Sequence, residues 1–282
     1  MTREVQIGPV TVGGERPLCL IAGPCVIESR DVVMHVAEKV KRICEDLGLG
    51  FVLKSSYTKD NRSTLTSYQG PGLEAGLKVL EEAKRTFGVP VLSDVHESTE
   101  CEAAAEVLDV LQIPAYLSMQ SSLVSAAAKT GRVVNVKKGQ FLHPADMKNV
   151  IGKIEHHGNH KILLTERGAC FGYHNLVADM RSLAVMRELG YPVVFDPTHT
   201  IRKYGVSSSD PAGGEPRFTP MLTRAGVAAG IDVIFIETHP DPPSALCDAA
   251  SMLDLAKLRP LLEDCVRLHE VARVALRRDE GR

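Results

Sequence analysis

Phe51-Val52-Leu53-Lys54-Ser55-Ser56-Tyr57-Thr58-Lys59-Asp60-Asn61-Arg62-Ser63 opens on three apolar residues, two of them bulky and suited to a pleated strand. It turns polar at Lys54 and runs into a loop carrying Lys59, Asn61, Arg62 and Ser63. Three lysines and arginines among so many hydroxyl and amide groups serve no packing purpose at a strand exit. They suit a phosphorylated or carboxylated ligand, because Lys supplies a point charge and Arg a planar two-pronged donor. A solvated basic loop is the plainer alternative, since runs of charge usually face water. Recurrence of the same unit elsewhere decides between them.

The unit recurs along the chain. After an N-terminal hairpin over residues 1–14, with turn residues Gly8 and Pro9, Leu18 to Ala22 leads to Cys25. Pro90 to Leu92 leads to Asp94 and His96, Leu108 to Leu111 to Gln112, and Val133 to Val136 to Lys137 and Lys138. Ile162 to Leu164 leads to Glu166 and Arg167, Val193 to Phe195 to Asp196 and His199, and Val233 to Ile236 to Glu237 and His239. Helical patterns fall between them at Asp31–Leu47, Gly72–Thr86, Thr99–Val107, Ser121–Lys129, Pro144–His156, Leu176–Leu189, Pro220–Gly230 and Met252–Arg278. Eight strand-then-helix repeats in about 265 residues fit an α/β protein of the closed (β/α)8 barrel type, a TIM barrel. The rival, an open doubly wound sheet, calls for a Gly-rich phosphate loop, and no G-x-G-x-x-G is present. In a barrel all strand ends converge on one face, so the polar residues above ring one pocket. Residues 200–218, rich in Ser, Gly and Pro, follow the seventh strand on that face as an active-site loop.

Composition narrows the function. The 282 residues are 44% hydrophobic and 24% charged, an ordinary globular balance, and read as a single domain over residues 1–282. A net charge of -2 argues against nucleic acid or an acidic membrane as the main partner. The N-terminus lacks a signal-peptide pattern, and the apolar run Leu18 to Ile27 is too short to span a bilayer. Seven Cys without paired spacing suggest no disulfide framework. A cytoplasmic, reduced protein is the expectation.

Two constellations gather at the strand ends. The cationic one comprises Lys54, Lys59, Arg62, Lys137 and Arg167. Strand alternation puts Lys137 and Lys138 on opposite faces, and Lys137 is assigned inward. So many cations in one cavity repel by several kcal/mol, roughly, unless anions bind. The second constellation is a metal-type set: Cys25, His199, Glu237 and Asp248. Thiolate, imidazole and two carboxylates suit a divalent first-row ion such as Fe²⁺, Zn²⁺, Mn²⁺ or Co²⁺, although the spacing matches no local metal motif. His239 and Cys247 compete as ligands, Cys247 less so because neighbouring residues rarely point the same way.

Several longer motifs carry a resemblance: Ala22-Gly23-Pro24-Cys25 with Glu28-Ser29, Lys59-Asp60-Asn61-Arg62-Ser63, Tyr68-Gln69-Gly70-Pro71-Gly72 and Asp94-Val95-His96-Glu97. Val136-Lys137-Lys138-Gly139-Gln140-Phe141, Glu166-Arg167-Gly168 with Phe171-Gly172-Tyr173, Asp196-Pro197-Thr198-His199 and Glu237-Thr238-His239-Pro240 join them. Together, in register over nearly the whole chain, they resemble the 3-deoxy-D-manno-octulosonate 8-phosphate (KDO-8-phosphate) synthases. The resemblance implies a homotetrameric barrel enzyme that condenses phosphoenolpyruvate with D-arabinose 5-phosphate and water, feeding lipopolysaccharide synthesis. It implies that Lys54, Lys59, Lys137, Arg167 and Gln112 hold phosphoenolpyruvate, with Ser56 among the substrate contacts. Asn61, Arg62 and Ser63 would grip arabinose 5-phosphate, Arg62 across a subunit interface. Cys25 places the chain in the family's metal-dependent class, with His199, Glu237 and Asp248 as the other ligands. Asp94, His199, Glu237 and Lys59 are the candidate catalytic groups, and the sequence does not choose among them.

The chain departs from the family pattern at Asp60, where Ala is common, and at Met119, near a usual Arg that contacts the sugar phosphate. Arg202 or Lys203 on the long loop is a candidate replacement. Two rivals stand beside this reading. A sister synthase using erythrose 4-phosphate would carry a Pro-Arg pair where this chain has Asn61-Arg62. A non-catalytic phospho-ligand sensor on the same scaffold would tolerate losing metal ligands or Asp94, and none is lost.

Overall fold

The computed structural model describes residues 1–60, 64, 66–170, 175–207 and 210–280. Strands β1 (Val5–Ile7) and β2 (Val10–Val12) form an antiparallel hairpin in the register Val5↔Val12 and Ile7↔Val10. Eight parallel strands follow: β3 (Cys19–Gly23), β4 (Gly50–Lys54), β5 (Val91–Asp94), β6 (Val110–Ile113), β7 (Val133–Lys137), β8 (Ile162–Glu166), β9 (Val193–Phe195) and β10 (Val233–His239). They pair in chain order, and β10 returns to β3, with Val233 opposite Cys19 and Glu237 opposite Gly23. This is the (β/α)8 barrel expected from the repeats, with the hairpin at its N-terminal end.

The period-2 pattern explains the layering. Cys19, Ile21, Val52, Leu92, Val110, Val133, Leu163, Val194, Val233 and Phe235 fill the barrel interior together with Val5, Ile7 and Val12 of the hairpin, which covers the lower end. The alternate residues, among them Leu20, Leu53, Val91, Leu111, Val134, Leu164, Val193 and Ile234, pack outward against the helices. Strands covered on both faces read as near-continuous apolar runs, as these do. Each such side chain contributes about 1.5–3 kcal/mol on burial. Counting on by two from the interior residues reaches Lys54, Asp94, Gln112, Asn135, Lys137, Thr165, Asp196 and Glu237, all buried. The interior is therefore apolar at the bottom and polar toward the C-terminal mouth.

The helices on the outside are α1 (Arg30–Leu47), α2 (Leu73–Phe87), α3 (Cys101–Val107), α4 (Ser121–Lys129), α5 (Met147–Glu155), α6 (Met180–Glu188), α8 (Thr219–Ala228) and α9 (Leu258–Glu280), while the short buried α7 (Pro197–Thr200) sits at the mouth after β9. Helix α1 shows why they start and stop where they do. Ser29 Oγ accepts from Val32 N at 3.2 Å, Gly48 closes the C-terminus with φ 67°, and Val33, Val36, Ala37, Val40 and Cys44 form the buried stripe.

Two expected helices begin late. The last starts at Leu258, not Met252, because Leu253–Asp254 instead forms a short strand, β11, alongside Thr238 and His239 of β10. The Asp254 carboxylate then accepts from Ala256 N at 2.9 Å and turns the chain into α9. Helix α6 starts at Met180, not Leu176, because Val177 bridges to Ala169 and Asn175 to Lys203, and Asp179 supplies the cap. Among the described residues no helix is long and apolar enough to cross a membrane.

Candidate active site

The polar ends of β3 to β10 open into a cavity of about 770 Å³ whose walls include Lys59, Asp94, Lys137, Arg167, His199, Arg202 and Asp248. Lys137 enters it while the neighbouring Lys138 turns the other way, 3.6 Å from Glu166. Glu166 in turn accepts from Ser182 Oγ at 2.7 Å and Gly168 N at 2.6 Å, so it belongs to the barrel's outer layer. A side-chain chain crosses the polar layer below. Thr165 Oγ1 donates to Asn135 (2.7 Å), Asn135 Nδ2 to Gln112 (2.8 Å), and Gln112 Nε2 to Asp94 Oδ1 (2.6 Å). The other Asp94 oxygen accepts from Lys59 Nζ and Ser56 Oγ, both at 2.7 Å.

The expectation that the cations repel one another unless anions bind needs correction. Three of them already face carboxylates: Lys54 pairs with Glu237, Lys59 with Asp94 at 2.7 Å, and Lys137 with Asp196 at 2.8 Å. Paired buried charges hold each other ionised. Burial alone would push Asp94 up, yet Lys59, Lys54 and Lys137 keep its carboxyl well below the usual range. Burial would likewise pull Lys59 down, yet Asp94 and its acidic neighbours hold its ammonium well above its ordinary value. Arg167 differs. Its recorded partner is a neutral hydroxyl, Tyr204 OH, which accepts from Arg167 Nη1 at 2.6 Å and from Gln140 Nε2 at 2.5 Å. Arg167 is thus a buried guanidinium in the wall with no carboxylate partner among the described residues.

Beneath the cavity Lys54 is fully buried, donating to Cys25 O at 2.7 Å as well as to Glu237. Phe235 forms the floor, with Lys137 Nζ 4.0 Å and Lys54 Nζ 5.7 Å from its ring centre. Lys54, Ser56 and Gln112 therefore support Asp94 and Glu237 from behind rather than lining the cavity wall. Asn61, Arg62 and Ser63 lie outside the described residues. Asp60 is exposed. Met119 packs against the outer core. Lys203 pairs with Glu215 at 3.4 Å, and Arg202 is the loop cation that enters the wall.

The four expected metal ligands meet at one side. Asp248 Oδ2 lies 3.3 Å from Cys25 Sγ and 3.5 Å from His199 Nε2, which is itself 3.4 Å from Glu237 Oε2. Glu237 Oε2 is buried and accepts no hydrogen bond among the described residues, an orphaned oxygen of the kind a cation would satisfy. Asp196 orients the histidine by facing His199 Nδ1 at 2.7 Å, and burial of that carboxylate is outweighed by His199 and Lys137, which hold it ionised. With Nδ1–H on Asp196, the Nε2 lone pair is left for an ion. Burial, then Cys247 and Asp248, push the Cys25 thiol well above its ordinary value, so a metal must displace its proton. The donors form two groups of three that share Asp248, one with Cys25 and Cys247 and one with His199 and Glu237, and their chemistry suits a divalent ion.

Cys247, weighed low from sequence, joins the group, its Sγ 2.7 Å from Cys25 Sγ. Adjacent side chains rarely point together, but Asp248 has φ 51°, the one positive φ outside glycine among the described residues. That left-handed turn lets residues 247 and 248 both face Cys25. Glu28 latches the same loop, accepting from Leu246 N at 2.8 Å with its second oxygen 3.5 Å from His239 Nε2. Gly23 is required just ahead of Cys25, since a Cβ there would lie 1.9 Å from Lys54 O. Phe235 could have been found by strand parity. Gln140 stands in the motif over residues 136–141 with no role assigned to it there, and nothing local to their sequence marks Tyr116 and Tyr204.

A closed parallel barrel whose mouth collects ionised carboxylates, lysines and a buried guanidinium beside a metal-type cluster defines a (β/α)8 enzyme of anionic substrates. The chain belongs to the DAHP synthetase I family, whose model matches residues 2–272. It is 54% identical to a Trichlorobacter lovleyi protein over 273 residues, covering 97% of this chain and 100% of that one. It is 54% identical to a Pelobacter propionicus protein over 262 residues and 51% identical to a Geobacter sulfurreducens protein over 263, each covering 93% of this chain and 96% of the relative. All three relatives are named 2-dehydro-3-deoxyphosphooctonate aldolase, another name for KDO-8-phosphate synthase, which bears out the resemblance in the motifs.

Proposed function

We propose that this chain is a KDO-8-phosphate synthase, joining phosphoenolpyruvate, D-arabinose 5-phosphate and water into 3-deoxy-D-manno-octulosonate 8-phosphate and inorganic phosphate. The observation that carries the reading is the cavity itself, where Lys59, Lys137, Arg167 and Arg202 converge beside Cys25, His199, Glu237 and Asp248. The names of its relatives support the same substrates.

Lys59, Lys137 and Arg167 neutralise the phosphate and carboxylate of phosphoenolpyruvate. The enol carbon attacks the sugar aldehyde carbon and forms the new C–C bond. Water adds at the carbon bearing phosphate, and that carbon–oxygen bond then breaks to release phosphate. Asp94, held ionised and hydrogen-bonded by Gln112, Lys59 and Ser56, fixes the Lys59 ammonium at the cavity wall. The buried floor of Phe235 and the Asp94–Gln112–Asn135 chain fix the positions of these groups. When bound by Cys25, His199, Glu237 and Asp248, a divalent ion such as Fe²⁺, Zn²⁺, Mn²⁺ or Co²⁺ would supply Lewis acidity toward the aldehyde or the water.

Asn61, Arg62 and Ser63 complete the arabinose 5-phosphate site in this reading, Arg62 from a neighbouring subunit. Homotetrameric assembly, a cytoplasmic location and a role in lipopolysaccharide synthesis go with it. The exposed Phe141 and Val177 suit subunit contact. The test is phosphate release from phosphoenolpyruvate with a panel of aldose phosphates. Arabinose 5-phosphate is expected to lead. Erythrose 4-phosphate leading would move the chain to the sister synthase, and no release with any sugar would leave a binding protein.

A further inference from the structure

The loop over residues 201–207 reaches the cavity wall at two points. Arg202 bridges to Gly214 and Lys203 to Asn175, so this part of the loop is extended, and alternation sends Arg202 and Tyr204 inward and Lys203 outward to Glu215. Arg202 Nη1 donates to Asp248 Oδ1. Asp248 Oδ2 faces Cys25 and His199, so Arg202 and the metal-type cluster meet on the same carboxylate. Arg202 Nε is buried and has no hydrogen-bond partner among the described residues. A guanidinium with an unsatisfied donor in the wall of an anion cavity lacks an acceptor, and phosphate oxygens match its fork. Two residues on, Tyr204 OH sits on Arg167. Arg167 and Arg202 both act electrostatically on Tyr116, whose ring lies 6.4 Å from that of Tyr204.

We propose that Arg202 couples anion binding to metal binding, its guanidinium being shared between Asp248 and a phosphate held beside Arg167. This rests on the metal-binding reading of Cys25, His199, Glu237 and Asp248. A guanidinium drawn onto a phosphate loosens its hold on Asp248 and leaves that carboxylate richer in negative charge for a divalent ion. The effect is reciprocal: bound metal takes over Asp248 and leaves Arg202 to the phosphate. Lys54 on Glu237 does not act this way, because it is buried beneath the floor and out of reach of the cavity.

The full-length protein is titrated with Co²⁺, read by thiolate-to-cobalt absorption, with and without saturating inorganic phosphate. Phosphate is expected to lower the Co²⁺ Kd by about fivefold or more. R202Q is expected to bind Co²⁺ more tightly than the wild type without phosphate, and to shift by less than about twofold when phosphate is added. R202K keeps a charge for Asp248 but not the second donor, and loses the phosphate effect as well; it decides alone if R202Q does not fold. A wild-type protein indifferent to phosphate, or variants that keep the full effect, overturn the coupling and leave the metal reading standing. Absence of any Co²⁺ thiolate band sinks both.

Discussion

Asp94 takes hydrogen bonds from Lys59 and Ser56 of the loop after β4 and from Gln112 of β6. Asp94→Asn places an amide N–H among those donors and leaves Lys59 buried without its counter-charge. It is expected to lower kcat by about a hundredfold or more and stability by about 3 kcal/mol, read by phosphate release and by urea unfolding. Cys25→Ala removes the thiolate from the metal group. Its expected outcome is loss of the cobalt–thiolate band and of activity; substantial turnover in metal-stripped buffer would take the ion out of the mechanism. Asp248 marks the limit of reading single residues from sequence. Its left-handed φ has no local signature, so the joint approach of Cys247 and Asp248 to Cys25 was hidden, whereas Lys137 and Lys138 were separable by alternation alone.

Glu28 is the counterpart of this at the scale of elements. It stands one residue before the cap of α1 and fastens the loop between β10 and β11 through Leu246 N and His239. Glu28→Ala is expected to weaken Co²⁺ binding about tenfold, since groups that orient metal ligands carry effects of that size. Ser29→Ala next door should cost about 1 kcal/mol of stability without moving the Co²⁺ affinity. The pair separates loop positioning from helix capping. Strands were legible because both faces are buried and their inward positions switch from apolar to charged toward the mouth. Helix starts were less so. Leu253 and Leu255 continue the leucine stripe of α9 in sequence, yet Leu253 pairs with β10, and edge pairing at a strand's end leaves no mark in a helical period.

In the whole molecule the chain's start is bound to the lower end of the barrel. Asp232 accepts from Thr2 Oγ1 at 3.1 Å and from Val193 N at 2.8 Å. Burial pushes its carboxyl up to about 6, against the hydrogen bonds that lower it. Because the folded value is raised, the protonated form is favoured in the fold. Its contribution to stability is complete below about pH 4 and is lost as pH rises through 6. Asp232→Asn should flatten that part of the profile, measured as urea midpoints at about pH 3.5 and about pH 7, on either side of that window. The hairpin covers this lower end, and among the described residues the cavity opens at the C-terminal mouth. Reactants and products share one corridor with a dead end, so whichever molecule lodges deepest must arrive first and depart last, and the kinetics should run in a fixed queue.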